Sequence, residues 1–196
     1  MARIALDIDS TLHQYWDLLQ RVVQERYGID LPYEEQRDWG ITALERDAVI
    51  HCVEETHSDE NIAAGVPYTG AVETVRAWHD DGHWIHVTSH RRRDAAAATA
   101  RWLDAIGLPY DDLHCSFDKV TRCVDLGIQV LVDDSPVNIV RAREAGIVPA
   151  TLLHPWNEDL VANEGVIGAR DWADLADQLA PVLREFGTDG GGPASS

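Results

Sequence analysis

The chain has 196 residues and carries 34 acidic against 16 basic side chains, a formal net charge of −18. That length allows one sizeable core with a small insert, and that charge excludes nucleic-acid polymers and anionic membranes as partners, because both demand a basic surface. Cys52, Cys115 and Cys123 form no C-x-x-C pair, and neither a leader nor an apolar run of spanning length is present, so a soluble cytoplasmic protein is expected. Fifteen of the basic residues are arginine, and Lys119 is the sole lysine.

In chain order, Arg3-Ile4-Ala5-Leu6-Asp7-Ile8-Asp9-Ser10-Thr11-Leu12 reads as a buried strand that delivers two carboxylates and a hydroxyl at its end. Helical spacing follows through Tyr15, Trp16, Leu18, Leu19, Val22, Val23 and Tyr27, and Gly28 stops it. Residues 29–66 carry short helical pieces: one near 33–37 after Pro32, one over 43–56 with Thr42 as N-cap, and one opened by Ser58 or Asp59. Pro67 to Gly70 predicts a hinge back to the core. From Ala71 the chain alternates: helix 71–81, strand 83–89, helix 93–106, strand 113–116, helix 119–126 and strand 128–134. Helix 136–145 then opens on Ser135 and Pro136, strand 148–153 follows, and helix 171–186 is the last. Alternation of this kind predicts an α/β fold with a doubly wound parallel sheet. The core is expected over 1–13 and 70–187, with an inserted all-helical cap at 14–69. The Gly- and Ser-rich end at 188–196 is expected to be a disordered tail.

Four strand ends carry reactive groups: Asp7 and Asp9, Thr88 and Ser89, the segment from Ser116 to Lys119, and Asp133 with Asp134. In a parallel sheet these ends share one edge, where ligands of open α/β sheets bind. Asp7 and Asp9, two residues apart in extended backbone, project to one side, and such a pair persists when a cation or a proton relieves the repulsion. A nucleophile, an acid or base, a hydroxyl, one cation and an acid pair for a metal suit phosphoryl transfer.

In motif order the chain resembles phosphatases of the haloacid dehalogenase superfamily: Asp7-Ile8-Asp9-Ser10-Thr11, then Thr88, then Lys119, then Asp133-Asp134. The resemblance implies that Asp7 is the nucleophile forming an aspartyl-phosphate and that Asp9 is the acid and base. It further implies that Thr88, Ser89 and Lys119 hold the phosphoryl oxygens, and that Mg²⁺ sits among Asp7, Asp9 through its carbonyl, Asp133 and Asp134. Asp9 argues for phosphate esters over dehalogenation. The absence of lysine from residues 14–70 argues against phosphonate hydrolysis. More narrowly, Trp39 within Arg37-Asp38-Trp39-Gly40, the re-entry Val66-Pro67-Tyr68-Thr69-Gly70-Ala71, Val87-Thr88-Ser89 and the run Val132-Asp133-Asp134-Ser135-Pro136-Val137-Asn138 resemble the 5′(3′)-deoxyribonucleotidase branch. That implies a nucleotide, ribo or deoxy, as the small phosphorylated substrate, with homodimerisation left open.

Each member has a plainer alternative. Lys119 could be a solvated helix-start residue, Thr88 an ordinary strand threonine, Asp134 a helix cap, and Trp39 part of the insert's core rather than a platform for a base. Arg91-Arg92-Arg93 reads as a solvated loop, with Arg91 a candidate contact to phosphate. The nine histidines show no H-E-x-x-H motif and are assigned to surface or core rather than to zinc. Two rival functions stand beside the nucleotidase: a phosphatase for a sugar phosphate or another small metabolite, and a receiver-type phosphoacceptor module. The latter would carry its phosphoacceptor on the middle strand and its lysine on the last.

Overall fold

A computed structural model describes residues 1–37, 41–116 and 118–188. Six strands form one parallel sheet in the order β3-β2-β1-β4-β5-β6: β1 Arg3–Asp7, β2 Trp84–Ser89, β3 Asp112–Cys115, β4 Val130–Val132, β5 Val148–Leu152 and β6 Ile167–Ala169. The helices are α1 Tyr15–Tyr27, α2 Arg46–Thr56, α3 Asp59–Ala63, α4 Ala71–Asp80, α5 Ala96–Ile106, α6 Lys119–Asp125, α7 Pro136–Glu144, α8 Glu158–Glu164 and α9 Trp172–Thr188.

Alternation along β1 assigns its side chains to two cores. Ile4 and Leu6 join Val75, Trp78, Leu103, Trp172 and Leu179 under α4, α5 and α9. Ala5 joins Val120, Cys123 and Ala142 under α6 and α7. The fold is therefore helix, sheet, helix, as expected from the alternating pattern. β1 lies at the centre, and the chain builds outward through β2 and β3 on one side, then through β4, β5 and β6 on the other. The gap between β1 and β4 is the switch point, where such sheets open a crevice beyond their strand ends.

Between β1 and α4 the chain makes α1, a 3₁₀ turn at Tyr33–Glu35, α2 and α3. Tyr15, Trp16, Leu19, Val22, Val23, Leu31 and Cys52 form an apolar cluster of their own there, which Trp156 from beyond β5 completes. The insert is fastened to the core at α5. Trp102 Nε1 donates to the Gly65 carbonyl at 2.9 Å, and Arg101 pairs with Asp59 at 2.8 Å. Gly70 at the return to the core has φ +83°, so the backbone favours glycine there, although a Cβ would make only an ordinary contact with Trp172 at 3.4 Å.

Several boundaries differ from the sequence expectation. Thr42 caps nothing: residues 42–44 form a turn, and α2 starts at Arg46 with Glu45 at its cap. The helix expected at 93–106 begins as a 3₁₀ turn over Arg93–Ala95 before α5. α8 and β6 were not expected: both are short, and Ile167–Ala169 lacks the continuous apolar run that marks the equally short β4. α9 runs to Thr188, past Gly187, where the pattern predicts its end at 186. The readings of Trp39 and of the tail from 189 onward lie outside the described residues. No helix among the described residues is long and apolar enough to cross a membrane.

Candidate active site

The register builds the site. Asp7 at the end of β1 pairs with Thr88 on β2, while Leu6 pairs with Val132 on β4, so Asp133 is the next residue beside Asp7 on that flank. Asp7 lies on the same face of β1 as Ala5, toward α6, whose first residue is Lys119. Lys119, 2% exposed, forms an ion pair with Asp7 and donates to Asp133 Oδ2 at 3.1 Å. It is not the solvated helix-start lysine of the alternative reading. Burial alone would lower its pKa, but Asp133 and Asp7 outweigh that and raise it, so the ammonium stays charged.

Asp133 is fixed on every side. Its Oδ1 accepts from the Ser135 backbone N–H at 2.9 Å and from Asn138 Nδ2 at 3.1 Å, and its Oδ2 also accepts from Asn138 at 3.0 Å. Pro136 opens α7 with Ser135 at its cap position, though the Ser135 side chain makes no capping bond. Asp134 Oδ2 accepts from Trp156 Nε1 at 3.0 Å. Asp7, Asp133 and Asp134 thus converge with one oxygen each inside a 4.8 Å span, all three buried. Burial, opposed by Lys119, pushes Asp7 up to about 7, and burial together with the neighbouring Asp7 and Asp133 carboxylates raises Asp134 well above the usual carboxylate range. Oxygen-only donors at this spacing, carrying charge that one lysine does not cancel, fit a hard divalent cation.

Asp9 stands apart from this trio. Arg91 clamps it with two bonds, Nε to Oδ2 at 3.2 Å and Nη2 to Oδ1 at 2.7 Å. His13 Nδ1 is 3.2 Å from Oδ1, and His57 Nε2, from the insert, is 3.4 Å from Oδ2. Burial on its own would raise the Asp9 pKa, but the Arg91 guanidinium holds it well below the usual range. The solvated-loop reading of Arg91 is wrong: the side chain is 1% exposed, and its Nη1 donates to Thr99 at 3.3 Å, whereas Arg92 and Arg93 are exposed. The aspartate that holds it lies 82 residues earlier in the chain, just past the end of β1, a contact that no local pattern encodes.

Thr88 is fully buried and its hydroxyl has no partner, while the Ser89 hydroxyl accepts from the Arg91 backbone N–H at 3.1 Å. The Thr88 hydroxyl therefore has a donor to spare beside Asp7, although Thr88 does not itself line the cavity above the site. A cavity of about 620 Å³ opens over Asp7, Asp9, Lys119, Asp133 and Asp134, walled by Tyr15, Val53, Trp156 and Val137, with Arg37 and His90 at its sides. Sequence reasoning missed Asn138, Trp156 and the histidines His13, His57 and His90. Asn138, in the first turn of α7, was legible as a polar residue facing inward; the others arrive from separate elements.

A parallel sheet of this order, with an acid trio, a buried lysine and an unpartnered threonine at its switch point, defines a hydrolase of the haloacid dehalogenase fold. The sequence profile of the family described as 5′ nucleotidase, deoxy (Pyrimidine), cytosolic type C protein matches residues 1–184, and the chain belongs to that family. It is accordingly a phosphoric monoester hydrolase of the nucleotidase type. A relative in Chlorobaculum tepidum, named "Putative 5'(3')-deoxyribonucleotidase", is 26% identical over 188 residues, covering 90% of this chain and 89% of that one. Among solved structures, a haloacid dehalogenase family hydrolase of Deinococcus radiodurans R1 with bound phosphate and sodium superposes with a TM-score of 0.65 at 19% identity, covering 95% of this chain and 96% of that chain. The D,D-heptose 1.7-bisphosphate phosphatase of B. bronchiseptica, complexed with magnesium and phosphate, gives 0.54 at 14% identity, covering 94% and 99%.

Proposed function

We propose that the protein is a cytoplasmic Mg²⁺-dependent phosphomonoesterase that dephosphorylates a deoxyribonucleoside monophosphate through an aspartyl-phosphate on Asp7. The observation that carries this reading is the convergence of Asp7, Lys119, Asp133 and Asp134 beneath an apolar-walled cavity in a chain of the deoxy-nucleotidase family. Asp7, Asp133 and Asp134, with the Asp9 carbonyl, would hold the metal. A divalent ion there supplies charge neutralisation to the phosphoryl group and keeps Asp7 ionised.

The chain's own groups divide the remaining work. Asp7 Oδ attacks phosphorus, and Lys119 both orients that carboxylate and balances charge on the phosphoryl oxygens. Thr88 donates its free hydroxyl to one of those oxygens. Asp9 works twice: carrying a proton, it gives it to the leaving 5′- or 3′-alkoxide as the P–O bond breaks, and then, ionised, it takes one from the water that opens the acyl-phosphate and so ends the cycle protonated. The Arg91 pair favours the ionised form and thus the base step, so loosening of that pair belongs to the acid step. The segment 14–69 serves as a cap: His57, Tyr15 and Val53 bring it over the site. The apolar walls Tyr15, Val53, Val137 and Trp156 favour a base over a bare sugar. Phosphate release with Mg²⁺ across deoxynucleoside and nucleoside monophosphates and sugar phosphates tests the assignment. It predicts the highest kcat/KM on a deoxynucleotide and none in EDTA; a sugar phosphate turned over best would replace it with the metabolite reading.

A further inference from the structure

The run His154-Pro155-Trp156-Asn157 follows β5 and joins both catalytic loops. Trp156 Nε1 and Asn157 Nδ2 bond to the carboxylate and the carbonyl of Asp134, at 3.0 and 3.2 Å. His154 reaches the other loop: its Nε2 is 2.7 Å from the carbonyl oxygen of Ser10, the residue between Asp9 and Thr11. Ser10 is unusual in itself. Its φ is +65°, a left-handed conformation that a side chain disfavours, and its buried hydroxyl has no partner. What holds this turn is backbone: Ser10 N–H donates to the His13 carbonyl at 2.9 Å, and Ser10 C=O meets His154.

The chemistry fixes the direction of each bond. A carbonyl only accepts, so His154 Nε2 carries the proton. His154 is 3% exposed, and burial pulls its pKa to about 4, so the ring is neutral and Nδ1 holds a lone pair. Tyr33 OH, 2.7 Å away, therefore donates to Nδ1. Tyr33 belongs to the insert, on the 3₁₀ turn between α1 and α2. Trp156, stacked on the imidazole at 4.5 Å and 2°, and Asn157 Oδ1, accepting from the His154 backbone N–H at 2.8 Å, keep the ring in place.

We propose that His154 is a positioning residue, and that the chain Tyr33 to His154 to Ser10 sets the turn carrying Asp9 against Asp7 and makes that setting depend on the seating of the insert. The proposal rests on the reading of Asp9 as acid and base. It assigns turnover to a residue that touches neither the acid trio nor the phosphoryl site.

The test compares Tyr33→Phe, His154→Leu and His154→Gln in steady-state kinetics with p-nitrophenyl phosphate and a deoxynucleotide, at varied Mg²⁺, beside thermal melts. Glutamine restores an N–H toward Ser10; leucine does not. The expected result is a fall in kcat of about 10- to 100-fold for His154→Leu, as small misplacements of reacting groups give. KM and the Mg²⁺ concentration for half activity should hold, with most of kcat recovered by Gln. Tyr33→Phe, which keeps its ring, should fall between and melt like the parent. Equal kcat in all four proteins, or a loss that tracks melting temperature and is not rescued by Gln, overturns the proposal. A long-range ¹⁵N–¹H spectrum of the parent and of Tyr33→Phe makes the relay independent of turnover. An Nε2–H tautomer whose Nδ1 resonance moves on losing the tyrosine hydroxyl supports it, and an Nδ1–H tautomer contradicts it even if the protein proves not to be a phosphatase.

Discussion

At the scale of single residues, the two aspartates of the first strand end have opposite electrostatics, and this separates their mutants by stability as well as by rate. Asp9 is the partner of a buried guanidinium, so Asp9→Asn leaves Arg91 without its counter-charge. Stranding one member of such a pair costs on the order of 3 kcal/mol. Asp7 is already pushed up to about 7, so a neutral amide relieves rather than strands. Thermal melts of the metal-free proteins near neutral pH should therefore show Asp9→Asn clearly less stable than the parent and Asp7→Asn equal or higher, although Asp7→Asn is the one expected to lose all turnover. The reverse order would mean that Arg91 finds other partners and that Asp7 is ionised at little cost. Asp7, Lys119, Thr88, Asp133 and Asp134 were legible from their places at strand ends, because the sheet brings strand ends together whatever lies between. Arg91, His13 and His57 were not, since what brings them to the site is a contact with Asp9 across 82, 4 and 48 residues respectively, the histidine at four residues lying in a turn rather than a helix.

At the scale of elements, the first strand end is supported from behind by α9. Trp172, fully buried against Trp78 at 6.0 Å, donates its Nε1–H to the Thr11 carbonyl at 3.1 Å. Trp172→Phe keeps most of the packing and leaves that carbonyl without this donor, an expected loss of about 1–3 kcal/mol. Trp172→Ala adds a cavity and should cost about 3–5 kcal/mol. Denaturant unfolding distinguishes them, and equal losses would show that the indole bond contributes nothing. Most helices and strands were legible from period, apolar runs and glycine stops. α8 and β6 were not, because β6 is positioned by pairing with β5, Ala150 to Ile167 through Leu152 to Ala169, rather than by its own three residues. The N-cap expected at Thr42 failed for a related reason: insert packing, with Ile41 buried in the insert cluster, takes those residues into a turn.

At the scale of the whole molecule, opposing titrations meet. Asp7 has its carboxyl raised from 3.8 to about 7, so the metal-free fold binds more protons than the unfolded chain and loses stability as pH rises through that interval. His86 and His154, both pulled from 6.5 to about 4 by burial, act with the other sign and lose stability as pH falls through theirs. If the acid trio takes Mg²⁺ as proposed, the ion needs the deprotonated acids, so it would cancel the first effect and leave the second. The rise in melting temperature on adding Mg²⁺ should accordingly be small at pH 5 and grow toward pH 8. An increment independent of pH would show that the ion stabilises the protein elsewhere. The central claim, that Asp7 carries the phosphoryl group, is tested most directly by acid-quenching the enzyme during turnover of a deoxynucleotide, reducing it with borohydride and mapping the peptides. An acyl-phosphate on Asp7 is reduced to homoserine, so the account predicts homoserine at position 7 and unchanged aspartate at position 9; homoserine at position 9, or aspartate intact at both positions under steady turnover, would contradict it.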